Sequence, residues 1–150
     1  MGSPRSAVGD FAPAVVVHGL ADARLALSAG LPVTLLSAPG AALYAGCGWW
    51  QALVAQARAA RPDVAVADIL DCGEASGQAL AALRIGQRFL VLRRSAPGRD
   101  AVAAIAAGRG GAVLPAAPPA LDLATRGADR RLHDWLRVQA SAGDSGPPLV

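Results

Sequence analysis

Apolar residues occur along this chain in short continuous runs rather than in alternation with polar residues. Five such runs predict β-strands. Because they lack the alternation of a half-exposed strand, both faces of the sheet should be covered. The predicted strands are residues 14–18, 32–37, 63–70, 88–93 and 112–115.

Helical periodicity fills the intervals between these runs, and a glycine, the usual stop signal of an α-helix, follows several of the helical segments. One strand, one helix and the next strand together take about 25 to 30 residues, the length of a right-handed parallel crossover. The sequence therefore predicts an α/β fold with a parallel sheet of four to five strands, built as a half-barrel or an open sheet, plus a C-terminal helix. The predicted helices are residues 19–30, 49–60, 74–86, 98–108 and 128–139.

Changes in composition predict the organisation of the chain. Residues 1–12 are expected to form a flexible leader, 13–126 the α/β domain, 127–140 the C-terminal helix and 141–150 a disordered tail. Within the domain, residues 116–126 form a proline-rich connector. No window is long and apolar enough for a membrane span, and the first residues lack the pattern of a secretory signal, so a cytoplasmic location is expected.

The basic residues limit the possible chemistry. All fourteen are arginine, which is typical of a GC-rich bacterial genome, and the absence of lysine excludes a Schiff base and the usual phosphate loop. The net charge of +3 is modest and aromatic residues are few, so no nucleic-acid partner is expected. Cys47 and Cys72 are interpreted as small buried side chains rather than a disulfide.

Side chains that can do chemistry follow the carboxyl ends of the predicted strands. In parallel α/β folds, ligands collect at this edge of the sheet. The residues at these strand ends are His18, Ser37, Asp71, Cys72, Arg93 and Arg94.

Asp71 and His18 are the candidate catalytic residues, as proton-transfer groups. Each has a structural alternative. Asp71 could cap the following helix by accepting a hydrogen bond from the N–H of Gly73 or Glu74. His18 could instead bind a nearby backbone group.

A glycine-rich loop provides a candidate anion site. Gly46 and Gly48 sit directly before a predicted helix, where free N–H groups and the helix dipole attract anions. With Ser37, Arg93 and Arg94 they could bind a phosphate or carboxylate, or the glycines could only allow a tight turn.

Zinc binding is a weaker alternative, with Cys72 and Cys47 as candidate ligands beside His18 and Asp71. Their spacing matches no short zinc-finger pattern, so no metal or other cofactor is expected.

Two further positions need explanation. Asp68 lies inside an apolar strand and must pair with an arginine or with backbone donors, because an unpaired buried carboxylate is costly. Of Trp49 and Trp50, one should enter the core, and the other is a ligand wall or a partner contact.

The stretch from Val17 to Leu92 resembles the first half of the class II, metal-dependent fructose- and tagatose-bisphosphate aldolases. The matching segments are "VHGLADARLALSAGLPVTLL", "SAPGAALYAG" and "ILDCGEASGQALAALRIG". The resemblance implies a (β/α)8-type barrel, with Asp71 in the place of a catalytic aspartate and Cys72 in the place of a zinc-binding histidine. A thiolate weakens the Lewis acidity of zinc, so this exchange argues against aldol chemistry. The family's other metal ligands belong to later strands, which this chain does not reach.

Two functions therefore stay open. A half-barrel leaves two strand edges and an inner face without a partner layer, so a second copy or another protein is expected to cover them. This predicts a non-catalytic, barrel-derived interaction or scaffold protein that acts as a homodimer or as a subunit of a larger assembly. The alternative is a small lyase- or isomerase-like enzyme, or a binder of a phosphorylated or carboxylate metabolite, at the carboxyl ends of the strands.

Overall fold

The computed structural model describes residues 11–143, with side chains described for residues 11–137. The predicted flexible leader lies outside the described residues except for its last two positions. The predicted tail lies outside them except for residues 141–143, which belong to the last helix.

Six strands in the described part of the chain form one parallel sheet. They are β1 (Ala14–Val17), β2 (Val33–Ser37), β3 (Val66–Asp71), β4 (Phe89–Val91), β5 (Ala112–Leu114) and β6 (Ala120–Asp122). Their order is β5-β4-β3-β2-β1-β6, and every pair of neighbours is parallel. The predicted α/β fold is confirmed, and of the two architectures left open the sheet is open.

The sixth strand was not predicted, because β6 lies inside the segment interpreted as a proline-rich connector. Its three residues pair with β1, with Leu121 beside Val15. Three residues that include an aspartate are too short and too polar to stand out as an apolar run. The sheet therefore has six strands, where four to five were expected.

Within residues 11–143, six helices accompany the sheet. They are α1 (Leu20–Ser28), α2 (Ala41–Tyr44), α3 (Cys47–Ala60), α4 (Ser76–Arg84), α5 (Arg99–Gly108) and α6 (Ala128–Gly143). Gly30 and Gly86 have positive φ and follow the ends of α1 and α4, as their role of helix stop requires. The short helix α2 was missed, because the sequence pattern placed it in the glycine-rich loop.

All six helices contribute to one core on a single face of the sheet. Strands β1 to β5 are neighbours in chain order, so each right-handed crossover places its helix on the same side. On α6, the buried Leu132 and Leu136 join this core, and Trp135 Nε1 donates a hydrogen bond to the carbonyl of Ala14 at 2.9 Å. The last helix therefore packs beside β1 and β6.

The opposite face, here called the inner face, has its own small core. No residue of a described helix belongs to it, and Phe11, Phe89 and Ala120 pack against it. The rings of Phe11 and Phe89 meet edge to face, with their centroids 4.9 Å apart. The buried members of this cluster are Val16, Leu36, Ala38, Ile69, Val91 and Leu114.

The connection from β5 to β6 shows that the sheet is strongly curved. These strands are the two edges of the sheet, and six strands laid flat would hold their outer members about 24 Å apart. Only residues 115–119 join them, and the steps from Leu114 to Ala120 reach at most about 22 Å. The link must also return along the strand direction, so the edges approach one another and the inner face is concave.

Candidate functional site

The carboxyl ends of the strands form one rim, as expected for a parallel sheet. Asp71 follows Ile69 by two residues, and Asp122 follows Ala120 by two residues, so both carboxylates project from the inner face at this rim. The rim is the candidate site that the sequence predicted.

Asp71 joins two loops of the rim. Its Oδ1 accepts hydrogen bonds from Gly73 N at 2.8 Å and from Gly40 N at 3.1 Å. The bond to Gly73 is one that the structural alternative predicted, but Asp71 is not the helix cap, because Ala75 occupies the N-cap position of α4. Asp71 therefore fixes the β2–α2 loop against the β3–α4 loop.

The other oxygen of Asp71 is available. Oδ2 accepts no hydrogen bond from the described residues. No fully buried side-chain oxygen in this part of the chain lacks a partner, so Oδ2 reaches solvent although Asp71 is largely buried. Asp71 thus has one free hydrogen-bond acceptor at the rim.

Ser37 binds the backbone of Asp71. Its Oγ accepts a hydrogen bond from Asp71 N at 2.9 Å and donates one to the carbonyl of Ala38 at 3.2 Å. Ser37 is buried, so its hydroxyl contacts other atoms of the protein and not solvent.

His18 pairs with a carboxylate that the sequence did not indicate. Its Nε2 lies 2.7 Å from Asp122 Oδ1, and its backbone N donates to Asp22 Oδ2 at 2.9 Å. Partial burial acts to raise the pKa of Asp122, but the hydrogen bonds from Ala124 N and His18 hold that pKa below its usual value. His18 and Asp71 share the rim, yet β2 lies between their strands and each contacts other groups.

The two cysteines differ in exposure. Cys72 is buried, and this burial, with smaller effects of Asp71 and Cys47, raises the pKa of its thiol to about 12. Cys47 is partly exposed. In residues 11–137, no three His, Cys, Asp or Glu side chains are grouped so that they could hold a metal ion.

The two thiols should therefore react at different rates. At pH 8 we expect iodoacetamide to alkylate Cys47 at least about 10³-fold faster than Cys72, because only the thiolate is nucleophilic and a pKa near 12 leaves little of it. Mass spectrometry of the intact protein after timed labelling measures both rates, with Cys47→Ser as the control. Equal rates in the folded protein would contradict the burial of Cys72.

The predicted anion loop is built differently from expectation. Gly46 is the N-cap of α3 with a φ of 89°, which favours glycine, whereas Gly48 lies inside the first turn and not before the helix. Among the described residues, α3 has neither a side-chain cap nor an acidic residue in its first turn. Arg93 and Arg94 have exposed side chains, and no hydrogen bond links either one to Gly46 or Gly48.

The rim also carries three exposed apolar side chains, of which the sequence analysis singled out only the tryptophan that stays outside the core. Leu43 is 58% exposed, Tyr44 70% and Trp49 38%, and we call these three residues the apolar rim patch. Leu43 Cδ1 would touch a Cβ placed on Gly73, so the patch adjoins the loop that Asp71 fixes. Trp50 is the tryptophan that enters the core.

A cavity of about 560 Å³ lies at the other end of the sheet, between α3 and the starts of β3 and β4. Asp68 lies on its wall, paired with Arg58 at 2.9 Å, as the sequence required of a carboxylate in an apolar strand. Sequence reasoning missed this cavity because ligands usually bind at the carboxyl ends of strands, which turned attention to the rim.

Comparisons with known proteins add no family. No protein-family model matches the chain, and neither does any curated protein. Among the described helices, none is long and apolar enough to cross a membrane.

Proposed function

We propose that this protein is a non-catalytic interaction protein, derived from a barrel fold, that pairs with a second copy of itself through the apolar rim patch. The observation that carries the proposal is the exposure of Leu43, Tyr44 and Trp49 within seven consecutive residues. Tyrosine and tryptophan are enriched where protein partners bind tightly.

The contacts of the candidate chemical groups favour a structural role for these side chains. Asp71 holds two loops, His18 pairs with Asp122, and Cys72 is a buried thiol. None of these three side chains hydrogen-bonds another of them in the described part of the chain. The rim is therefore better suited to present a fixed surface than to move protons.

Charge favours a second copy as the partner. No residue from 38 to 57 is charged, although the chain as a whole carries a net charge of +3. Two patches can therefore face one another across a two-fold axis without repulsion between like charges. The concave inner face does not need this partner, because its side chains are already buried.

The strand order supports a barrel origin. Strands β1 to β5 follow one another in chain order with all the helices on one face, as in a (β/α)8 barrel, and β6 stands beside β1, where the last strand of a closed barrel would lie. This is consistent with a distant relation to the class II aldolases. Two free cysteines fit a reducing compartment such as the bacterial cytoplasm.

Light scattering tests the dimer. We expect the protein at micromolar concentration to have twice the mass of one chain and Leu43→Glu/Tyr44→Glu to have the mass of one chain, because two glutamates would be desolvated in the interface. Ile105→Glu is the matched control, since Ile105 is also apolar and 41% exposed but lies on α5. A monomeric parent protein, or equal dissociation of the control, would reject the proposal.

A small anionic metabolite at the rim is the second candidate function. Arg93 and Arg94 could bind the anion, because they make no hydrogen bond or ion pair through their side chains in the described part of the chain, and Asp71 Oδ2 could accept a hydrogen bond from a hydroxyl group of the same molecule. A rise in the melting temperature with inorganic phosphate or a sugar phosphate, lost in Arg93→Gln/Arg94→Gln, would favour this function over the first.

A further inference from the structure

The cavity at the base of the sheet lies where β4 does not extend beside β3. β3 pairs with β4 only through Leu70 beside Leu90 and Asp71 beside Val91, whereas its first half pairs with β2 alone. The cavity is bordered by α3, the first half of β3 and residues 86–89. It is on the helix-covered face, at the opposite end of the strands from the rim.

Asp68 orders the side chains that border the cavity. Its Oδ2 accepts hydrogen bonds from Trp50 Nε1 at 3.1 Å and Gln87 Nε2 at 2.9 Å, and its Oδ1 accepts one from Arg58 Nη2 at 2.9 Å. Both oxygens of this carboxylate are thus hydrogen-bonded within the protein.

Gln87 presents an unused acceptor to the cavity. Its residue surface is only 4% exposed, and Nε2 uses both of its N–H groups, on Asp68 Oδ2 and on the carbonyl of Phe89 at 3.0 Å. Two acceptors on Nε2 fix the orientation of the amide, so the other atom must be the oxygen. Oε1 has no partner among the described residues and is not sealed off, which leaves it open to the cavity that Gln87 lines.

Two neighbouring side chains complete a polar wall. Gln51 Nε2 donates to the carbonyl of Ile85 at 2.9 Å, so its Oε1 is also a free acceptor. Arg58 uses Nη2 on Val66 O and Asp68 Oδ1, while its Nε and Nη1 donate to none of the described residues. The wall therefore combines free acceptors with free donors.

We infer that the cavity binds a small neutral molecule with an unsubstituted amide, either a primary carboxamide or a lactam. The amide N–H would donate to Gln87 Oε1, and the amide carbonyl would accept from Arg58. The ligand is neutral because the charge of Arg58 is already balanced by Asp68, and Arg88, the other arginine of the lining, directs its guanidinium to the carbonyl of Gly110. Val54 and Ala55 provide apolar lining for the rest of the molecule, and the volume is within the range of small-molecule sites.

Three matched probes test this inference on the unaltered protein. Benzamide has both the N–H and the carbonyl, N,N-dimethylbenzamide lacks the N–H, and benzoate is charged and lacks it as well. We expect benzamide to shift the NMR signals of Gly86 and the Gln87 side-chain amide, with both other probes binding at least about tenfold more weakly. Equal binding of all three probes, or no shift at millimolar benzamide, would overturn the inference and leave a cavity that holds only water.

A variant that fills the cavity locates the site. Ala55 is exposed and lines the cavity, whereas Ala52, one turn earlier in α3, is exposed but does not line it. Ala55→Trp should weaken benzamide binding at least about tenfold, and Ala52→Trp should leave it unchanged. Unchanged binding in Ala55→Trp would place the probe elsewhere and overturn the inference. Because the cavity and the apolar rim patch share no residue, failure of this inference would leave the proposed dimer untouched.

Discussion

Replacing Gly111 with alanine is expected to lower the free energy of unfolding by more than about 3 kcal/mol. A Cβ at this position would stand 1.8 Å from the carbonyl oxygen of Arg88 and 2.6 Å from its carbonyl carbon. The chain cannot move aside easily, because Gly111 N donates to Ala106 O and Ala112 N donates to Arg88 O. The substitution must therefore separate β5 from β4.

Gly77→Ala is the control for this substitution. Gly77 lies in the first turn of α4, and a Cβ there would meet no atom within 4 Å. Alanine should stabilise this position by about 0.5–1 kcal/mol, because glycine loses more backbone entropy in a helix. Urea unfolding followed by tryptophan fluorescence measures both variants, and a Gly111→Ala protein as stable as Gly77→Ala would show that β5 is not packed as described.

The second large effect distinguishes two adjacent tryptophans. Trp50→Ala should cost about 3–5 kcal/mol, because Trp50 is fully buried and also donates to Asp68. In the monomeric Leu43→Glu/Tyr44→Glu protein, Trp49→Ala should cost less than about 1 kcal/mol, since Trp49 is partly exposed in a single chain.

A third variant separates the contributions of packing and of the hydrogen bond of Trp50 to the free energy of unfolding. Trp50→Phe keeps much of the ring volume but removes the N–H, so we expect a loss of about 1–3 kcal/mol. Chemical denaturation, followed by circular dichroism because the fluorophore is altered, measures the series. Equal losses of unfolding free energy for Trp49→Ala and Trp50→Ala would contradict the assignment of Trp50 as the buried indole.

The parts of the fold that depend on local pattern could be predicted from the sequence. Strands β1 to β5 are apolar runs, and helix stops such as Gly30 and Gly86 can be recognised one by one. β6 could not be recognised, because three residues among prolines acquire their extended form from pairing with β1, more than a hundred residues earlier.

The contacts of the candidate site also include some that the sequence could predict and some that it could not. The bond from Gly73 to Asp71 is local and was foreseen, as was the need of Asp68 for an arginine. The bond from Gly40 to Asp71 joins loops 31 residues apart, and the pairing of His18 with Asp122 depends on the unforeseen strand. The cavity could not be predicted either, since it depends on how far β4 extends beside β3 and has no motif of its own.

The pairing of β6 with β1 has a consequence for synthesis. While the ribosome is still translating residues 115–136, strands β1 to β5 have been synthesised, yet the outer edge of β1 and the surface that receives Leu132 and Leu136 are still bare. Prolines at 115, 118 and 119 stand at the start of this interval. A nascent chain paused there would be the form most in need of a chaperone.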